Sequence, residues 1–269
     1  MTEPKNLALR ENKVPEPTAS FWTIKVLATT VGETAADLIS SRLHLGTQLT
    51  TVVMVALFLV VFVVQFRSRR YVPGLYWLTV VLISVVGTLI TDNLTDGLGV
   101  PLAVSTGVFA VALMATFAIW YATERTLSIH DIVTRRRETF YWLAVLFTFA
   151  LGTAAGDLLA EQLNLGYLAS AGIFAAAIVI VAVAHFVFRL GAIAAFWIAY
   201  VLTRPLGASF GDLLAQPTSD GGAGLGTIVT SVVFLAAILT LVIYLTIARS
   251  RRAVPAKDRQ TGIEEPAGV

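Results

Sequence analysis

The chain has no cysteine. That excludes a disulfide scaffold, a thiolate metal centre and a cysteine nucleophile. Charge is scarce as well. Only 13% of the 269 residues are Asp, Glu, Lys or Arg, while 57% are hydrophobic; soluble domains carry about 25% charge. This composition excludes a soluble enzyme, a disordered chain and a nucleic-acid binder. No HExxH motif is present, and neither an enzyme nor a cofactor is expected. Histidine is sparse: His44, His130 and His185 are scattered, which argues against a soft-metal site.

What is present is a series of long apolar runs. A spanning helix needs about 20 mostly apolar residues. Eight such runs stand at residues 21–40, 47–66, 76–95, 100–121, 140–160, 166–188, 193–214 and 226–248. Lipid offers no partner to a free backbone N–H, so runs of this length span as helices. An all-α polytopic membrane protein is the expected fold. Residues 1–20, polar and with three prolines, and residues 251–269 are expected to be disordered cytoplasmic segments flanking a transmembrane domain at 21–250. The Arg-rich segment 124–138 is expected to fix topology and meet anionic lipid.

Orientation follows from Lys and Arg. Of the 19 such residues, sixteen lie in the two terminal segments and in the even-numbered connections. One, Arg42, lies in an odd-numbered connection, and Lys25 and Arg204 lie inside helices. The asymmetry predicts that both termini are cytoplasmic.

The chain repeats itself four times. Trp22, Trp77, Trp142 and Trp197 each follow an aromatic residue. Ten positions on stand Gly32, Gly87, Gly152 and Gly207, and five further Asp37, Asp92, Asp157 and Asp212. Each unit then continues through Leu-Gly into a second helix, giving repeats at 21–66, 76–121, 140–188 and 193–248. Two helices per repeat make the repeats parallel, about an axis normal to the membrane. A closed pseudo-fourfold ring or two pseudo-twofold halves both satisfy this.

Four tandem two-helix units, each with a signature Trp, resemble a bacterial family of membrane-anchored proteins built from a four-times-repeated unit of unknown function. FWTIKVLATTVGETAADLIS is especially similar to that family's first repeat, and the resemblance covers about residues 14–250. It implies a multi-pass protein of the bacterial inner membrane and brings no activity with it.

The repeated positions carry separate expectations. The tryptophans, near the cytoplasmic start of each first helix, are expected to anchor the interface. Gly32, Gly87, Gly152 and Gly207, with Gly156 and Gly211 four positions after the last two, form small-xxx-small patterns that suit close helix packing. The acids are costlier. Each ionisable residue inside a span costs about 2.5–3.5 kcal/mol, so Glu33, Asp37, Asp92, Asp157 and Asp212 would cost on the order of 10–15 kcal/mol facing lipid. They must face the bundle interior, water or a partner. Carboxylates beside the hydroxyls that open the second helices make an oxygen-rich site suited to protons or hard cations.

Lys25, Thr29, Glu33 and Asp37 step by four along one face of the first helix. The i, i+4 spacing marks Glu33 and Asp37 as the pair expected to hold a proton or cation near neutral pH. Arg204 stands one turn below the Glu33 level, and both it and Lys25 are expected to pair with acids, Glu33 being the first candidate for Arg204. Two functional readings follow: a small transporter or permease for a cation or proton, or a non-transporting scaffold or sensor-associated protein whose acids only lock helices together. The bilayer is the expected partner in both.

Overall fold

The computed structural model describes residues 12–42 and 46–253. They form eight long helices and, among the described residues, no strand: α1 (Ala19–Arg42), α2 (Gly46–Arg67), α3 (Pro73–Asp92), α4 (Leu102–Glu124), α5 (Arg135–Asp157), α6 (Tyr167–Phe186), α7 (Ala192–Ala215) and α8 (Thr227–Ala253). Seven of them are long and apolar enough to cross a membrane on composition alone. The exception is α1, whose Lys25, Glu33 and Asp37 no lipid-facing helix would tolerate. It is packed against α3, α7 and α8.

The first helices of the four repeats form an inner square, with α1 against α3, α3 against α5, α5 against α7 and α7 against α1. Each second helix lies outside and packs chiefly on the first helix of the next repeat: α2 on α3, α4 on α5, α6 on α7. The last one, α8, returns to α1 and closes the ring. Of the two symmetries the repeat permits, the chain adopts the closed pseudo-fourfold ring. The outer helices turn Val60, Val111, Met114, Ile180 and Val232 outward, all more than half exposed to the surroundings of the protein. Such a continuous apolar surface belongs in lipid.

Hydrocarbon supplies no hydrophobic drive between helices, so close packing and polar contacts must hold the square together. The repeated glycines supply the packing. A Cβ on Gly32 would fall on the Ser84 hydroxyl, one on Gly87 would lie 2.7 Å from the Phe149 Cβ, one on Gly152 would meet the Arg204 stem, and one on Gly207 would fall on the Thr29 hydroxyl. Thr29, Ser84, Phe149 and Arg204 all stand seven residues after their Trp. The glycine of each repeat therefore receives the same position of the next, and the fourth receives it from the first. A Cβ on Gly156 would meet its nearest neighbours at an ordinary contact distance of 3.6 Å, whereas one on Gly211 would lie a tight 3.3 Å from the Thr30 carbonyl oxygen.

The two faces of the bundle differ. On the hairpin face, where first and second helices join, α3 and α5 run on into single π-helical turns at Asn93–Gly97 and Leu158–Gln162. Three of the four Leu-Gly glycines, Gly99, Gly166 and Gly226, take positive φ of 67–79° to turn the chain into the next helix, while Gly46 opens α2. On the termini face, the expectation that residues 1–20 are disordered is overturned for residues 12–20. Lys13 and Val14 are buried, and Asn12 donates to the Ile129 carbonyl at 3.0 Å. The Lys13 ammonium caps α2 at the Phe66 carbonyl and pairs with buried Glu138 at 2.6 Å, contacts that offset the cost of ordering the segment. The helix α8 extends past residue 250 to Ala253. Residues 1–11 and 254–269 of the two terminal segments, and His44, lie outside the described residues. The Arg-rich 124–138 segment is clipped to itself, with Glu124 pairing Arg136 at 3.4 Å and Arg137 at 2.8 Å.

Candidate functional site

The pseudo-fourfold axis is lined, layer by layer, by equivalent positions of α1, α3, α5 and α7. Nearest the termini face is an aromatic layer built from the residues preceding each Trp: Phe21, Tyr76, Tyr141 and Phe196. All are buried. Tyr76 and Tyr141 share a hydroxyl hydrogen bond of 2.6 Å, and the Phe21 and Phe196 rings lie 6.0 Å apart. The tryptophans extend this layer sideways, which corrects their expected role. Trp77, Trp142 and Trp197 are no more than 5% exposed, too enclosed to reach headgroups. Trp197 donates its indole N–H to the Leu127 carbonyl at 2.9 Å. Trp22, half-buried against Phe21 and Phe196, is the one with an outward edge.

Next comes Lys25, which is fully buried and has no hydrogen-bond partner. The expected acid partner is absent among the described residues. Its ammonium lies instead over the rings of Phe149 at 4.4 Å and Tyr200 at 4.3 Å. A desolvated cation gains about 2 kcal/mol or more from an aromatic face, so two faces do the work assigned to a carboxylate.

One layer further, Arg204 and Glu33 form a buried ion pair of 2.8 Å across the bundle. Eleven residues after each Trp stand Glu33, Thr88, Thr153 and Ala208. The Arg204 Nη2 reaches up from one turn below and touches the first three together: the Glu33 carboxylate, the Thr88 hydroxyl and the Thr153 hydroxyl, the last at 2.6 Å. Its Nη1 donates to the Thr29 carbonyl at 3.3 Å. Pro205 follows within an unbroken α7, so the helix is not opened there.

Above this level stand the four aspartates. One carboxylate oxygen each from Glu33, Asp157 and Asp212 lie within 4.8 Å of one another. Asp37 and Asp92 stand outside that trio, although the charges of all four aspartates interact with that of Glu33. Beyond the i, i+4 pair of Glu33 with Asp37, the bundle brings Asp157 and Asp212 from α5 and α7 to Glu33, while Asp37, one turn along α1, is half-buried towards the hairpin face.

Two further acids complete the outer rim, and the sequence reading passed over them. Asp96 and Glu161, four residues beyond Asp92 and Asp157, sit exposed in the two π-helical turns, and both act electrostatically on Asp37. The repeated spacing of four was the available signal. Single π turns recur at functional sites. The axis is therefore acidic from the hairpin face down to Glu33, and basic and aromatic below it.

These features define a class: a multi-pass helical membrane protein in which four two-helix repeats close around a polar axis. Family comparison agrees, since a repeat described as Repeat of Unknown Function (DUF347) matches four times, at residues 20–71, 75–126, 140–190 and 195–251. The chain belongs to that family. No curated protein and no solved structure matches it.

Proposed function

We propose that the protein is a small permease for a cation, a proton or a hard metal ion, in the bacterial inner membrane with both termini cytoplasmic. One observation carries the reading. Asp157 and Asp212 converge on Glu33 at the repeat axis, Asp37 and Asp92 stand at the equivalent repeat positions of α1 and α3, and a single guanidinium is in direct contact to balance them. Uncompensated carboxylates are too costly in a span to serve packing alone, and a cation arriving among them supplies the missing charge. Exposed Asp96 and Glu161 give the hairpin face a negative mouth that concentrates cations. Oxygen ligands and no sulfur suit protons, Na⁺ or alkaline-earth ions. The role is non-enzymatic and requires no cofactor.

The test is flux. Full-length protein in proteoliposomes, loaded with pH- or Ca²⁺-sensitive dye, should pass at least one of H⁺, Na⁺, Ca²⁺ or Mn²⁺, and Glu33→Gln and Asp212→Asn should each reduce that flux tenfold or more. Absence of wild-type flux for all four ions would refute the reading. The second reading, a scaffold or sensor that binds without transporting, draws on a different observation: beneath Glu33 the axis holds Arg204, Lys25 and the hydrogen-bonded tyrosines, a cationic and close-packed half.

A further inference from the structure

The three oxygens that meet Arg204 form a nearly equilateral triangle. Thr88 Oγ1 and Glu33 Oε2 are 3.3 Å apart, Thr153 Oγ1 and Glu33 Oε2 are 3.4 Å apart, and the two threonine oxygens are 3.4 Å apart. Direct O–H···O bonds favour about 2.7–2.8 Å, so the hydroxyls are not drawn together by bonding one another. They are spaced around the nitrogen lodged on them. That nitrogen carries two hydrogens, yet three oxygens crowd it. At least one of them touches it as a ligand touches an ion. The guanidinium is otherwise poorly served: its Nε has no partner, and it meets Glu33 through one nitrogen rather than as a bidentate fork.

In an octahedral ion site, neighbouring ligand oxygens are separated by the square root of two times the metal–oxygen distance. Edges of 3.3–3.4 Å correspond to a distance of about 2.4 Å, within the range for Ca²⁺; Mg²⁺, at about 2.1 Å, would need edges of about 2.9 Å. A further ligand is at hand. Asp212, 6% exposed, has a carboxylate oxygen within 4.8 Å of one from Glu33 and one from Asp157, and it has no hydrogen-bond or ion-pair partner among the described residues.

We propose that Glu33, Thr88 and Thr153 form one face of a coordination site for a Ca²⁺-sized hard cation, with Asp157 and Asp212 above it, and that Arg204 Nη2 is a tethered cation competing for that face. The inference rests on the cation reading above and sharpens it in two ways. It sets ion size, and it makes Arg204 the residue against which the ion must exchange. Three repeats supply the oxygens. The fourth supplies Ala208 at that level, and so leaves room for the arginine rising from below.

The experiment is equilibrium binding of ⁴⁵Ca²⁺ to the full-length protein in detergent micelles, with Mg²⁺ as competitor. Arg204→Met keeps the aliphatic stem against Gly152 and removes the competing charge. Its Ca²⁺ affinity should rise at least tenfold over wild type, and a hundredfold excess of Mg²⁺ over Ca²⁺ should not displace half of the ion. Adding Thr88→Val should reverse the gain. Should Arg204→Met be unstable, Ca²⁺ should raise its melting temperature more than it raises that of wild type, and Thr88→Val alone should weaken wild-type binding. Binding that is equal in wild type and Arg204→Met, or that prefers Mg²⁺, overturns this proposal while leaving the cation reading intact. Flux of another ion with no Ca²⁺ bound by either protein overturns the size assignment. No flux and no binding overturn both.

Discussion

Removing Glu33 alone should cost more than removing Glu33 and Arg204 together costs per residue, because the pair is buried on both sides. Arg204 has no exposed surface and Glu33 only 5%. Truncating one partner of such a pair strands the other at about 3–5 kcal/mol. Glu33→Gln sits at the low end, near about 3 kcal/mol, since the amide oxygen still accepts one hydrogen bond and Thr88 and Thr153 stay in contact. Arg204→Met also leaves a carboxylate among four neighbouring acids and should cost at least as much. The double variant removes both charges from the axis. Polar pairs inside membranes couple by about 0.6 kcal/mol on average and about 1.7 at most. A fully charged pair belongs at that upper end, so a coupling of about 1.5 kcal/mol or more is expected. The assay is reversible unfolding of the four proteins in mixed detergent micelles, followed by circular dichroism. Additivity within about 0.5 kcal/mol would mean that contact between these groups does not stabilise the fold, and would undercut the geometry on which the site is built.

Gly207→Ala, whose new Cβ falls on the Thr29 hydroxyl, should destabilise by about 1–3 kcal/mol. Gly156→Ala, with 3.6 Å of clearance, should cost under about 1 kcal/mol; the reverse order in the same unfolding assay would refute the seam. For topology, a cysteine at Asn164 should react with an impermeant maleimide from outside intact cells, and one at Arg136 only after lysis; inverted labelling would reverse the orientation. Neutralising the rim through Asp96→Asn with Glu161→Gln should weaken cation binding severalfold at low salt and hardly at all at high salt, where the field of exposed charges is screened. A loss that persists in high salt would make them ligands instead.

The fold was largely legible because hydropathy and the Trp-Gly-Asp spacing speak directly to span number, parallel repeats and helix seams. Choosing between ring and halves needed packing: nothing in the order of residues says that α8 returns to α1. The Trp positions were misjudged because an indole near a helix start satisfies two rules at once, interfacial anchoring and aromatic packing, and only neighbours decide between them. A carboxylate is expected for Lys25 because a lone charge in a span is costly; Phe149 and Tyr200, on other helices, take its place. The site itself was half legible. Its aspartates stand in one column of the repeat and Glu33 one turn before it, but which three acids meet depends on how α1, α5 and α7 turn about the axis. The threonines at the Glu33 level were visible as equivalents and not as contacts. Asp96 and Glu161 went unread because they lie just past the motif.

Four copies of one unit make a symmetric scaffold, and the chemistry is found where the copies disagree. The glycines and aspartates are the same in every repeat, whereas the position three after the Trp runs Lys25, Val80, Val145, Tyr200, the next one down the axis Thr29, Ser84, Phe149, Arg204, and the next Glu33, Thr88, Thr153, Ala208. Symmetry then makes a prediction about the asymmetric positions. If Arg204 Nη2 sits near the axis, touching Glu33, Thr88 and Thr153 alike, a carboxylate moved to a neighbouring corner still reaches it. The exchange Glu33→Thr with Thr88→Glu should therefore unfold within about 1 kcal/mol of wild type, while Glu33→Thr alone loses about 3 kcal/mol or more. Ca²⁺ binding, if the triangle is the ion site, should survive the exchange within severalfold. An exchange variant as unstable as the single one would show that the corner is not interchangeable, and that Glu33 is held by contacts particular to α1 rather than by its place on the axis.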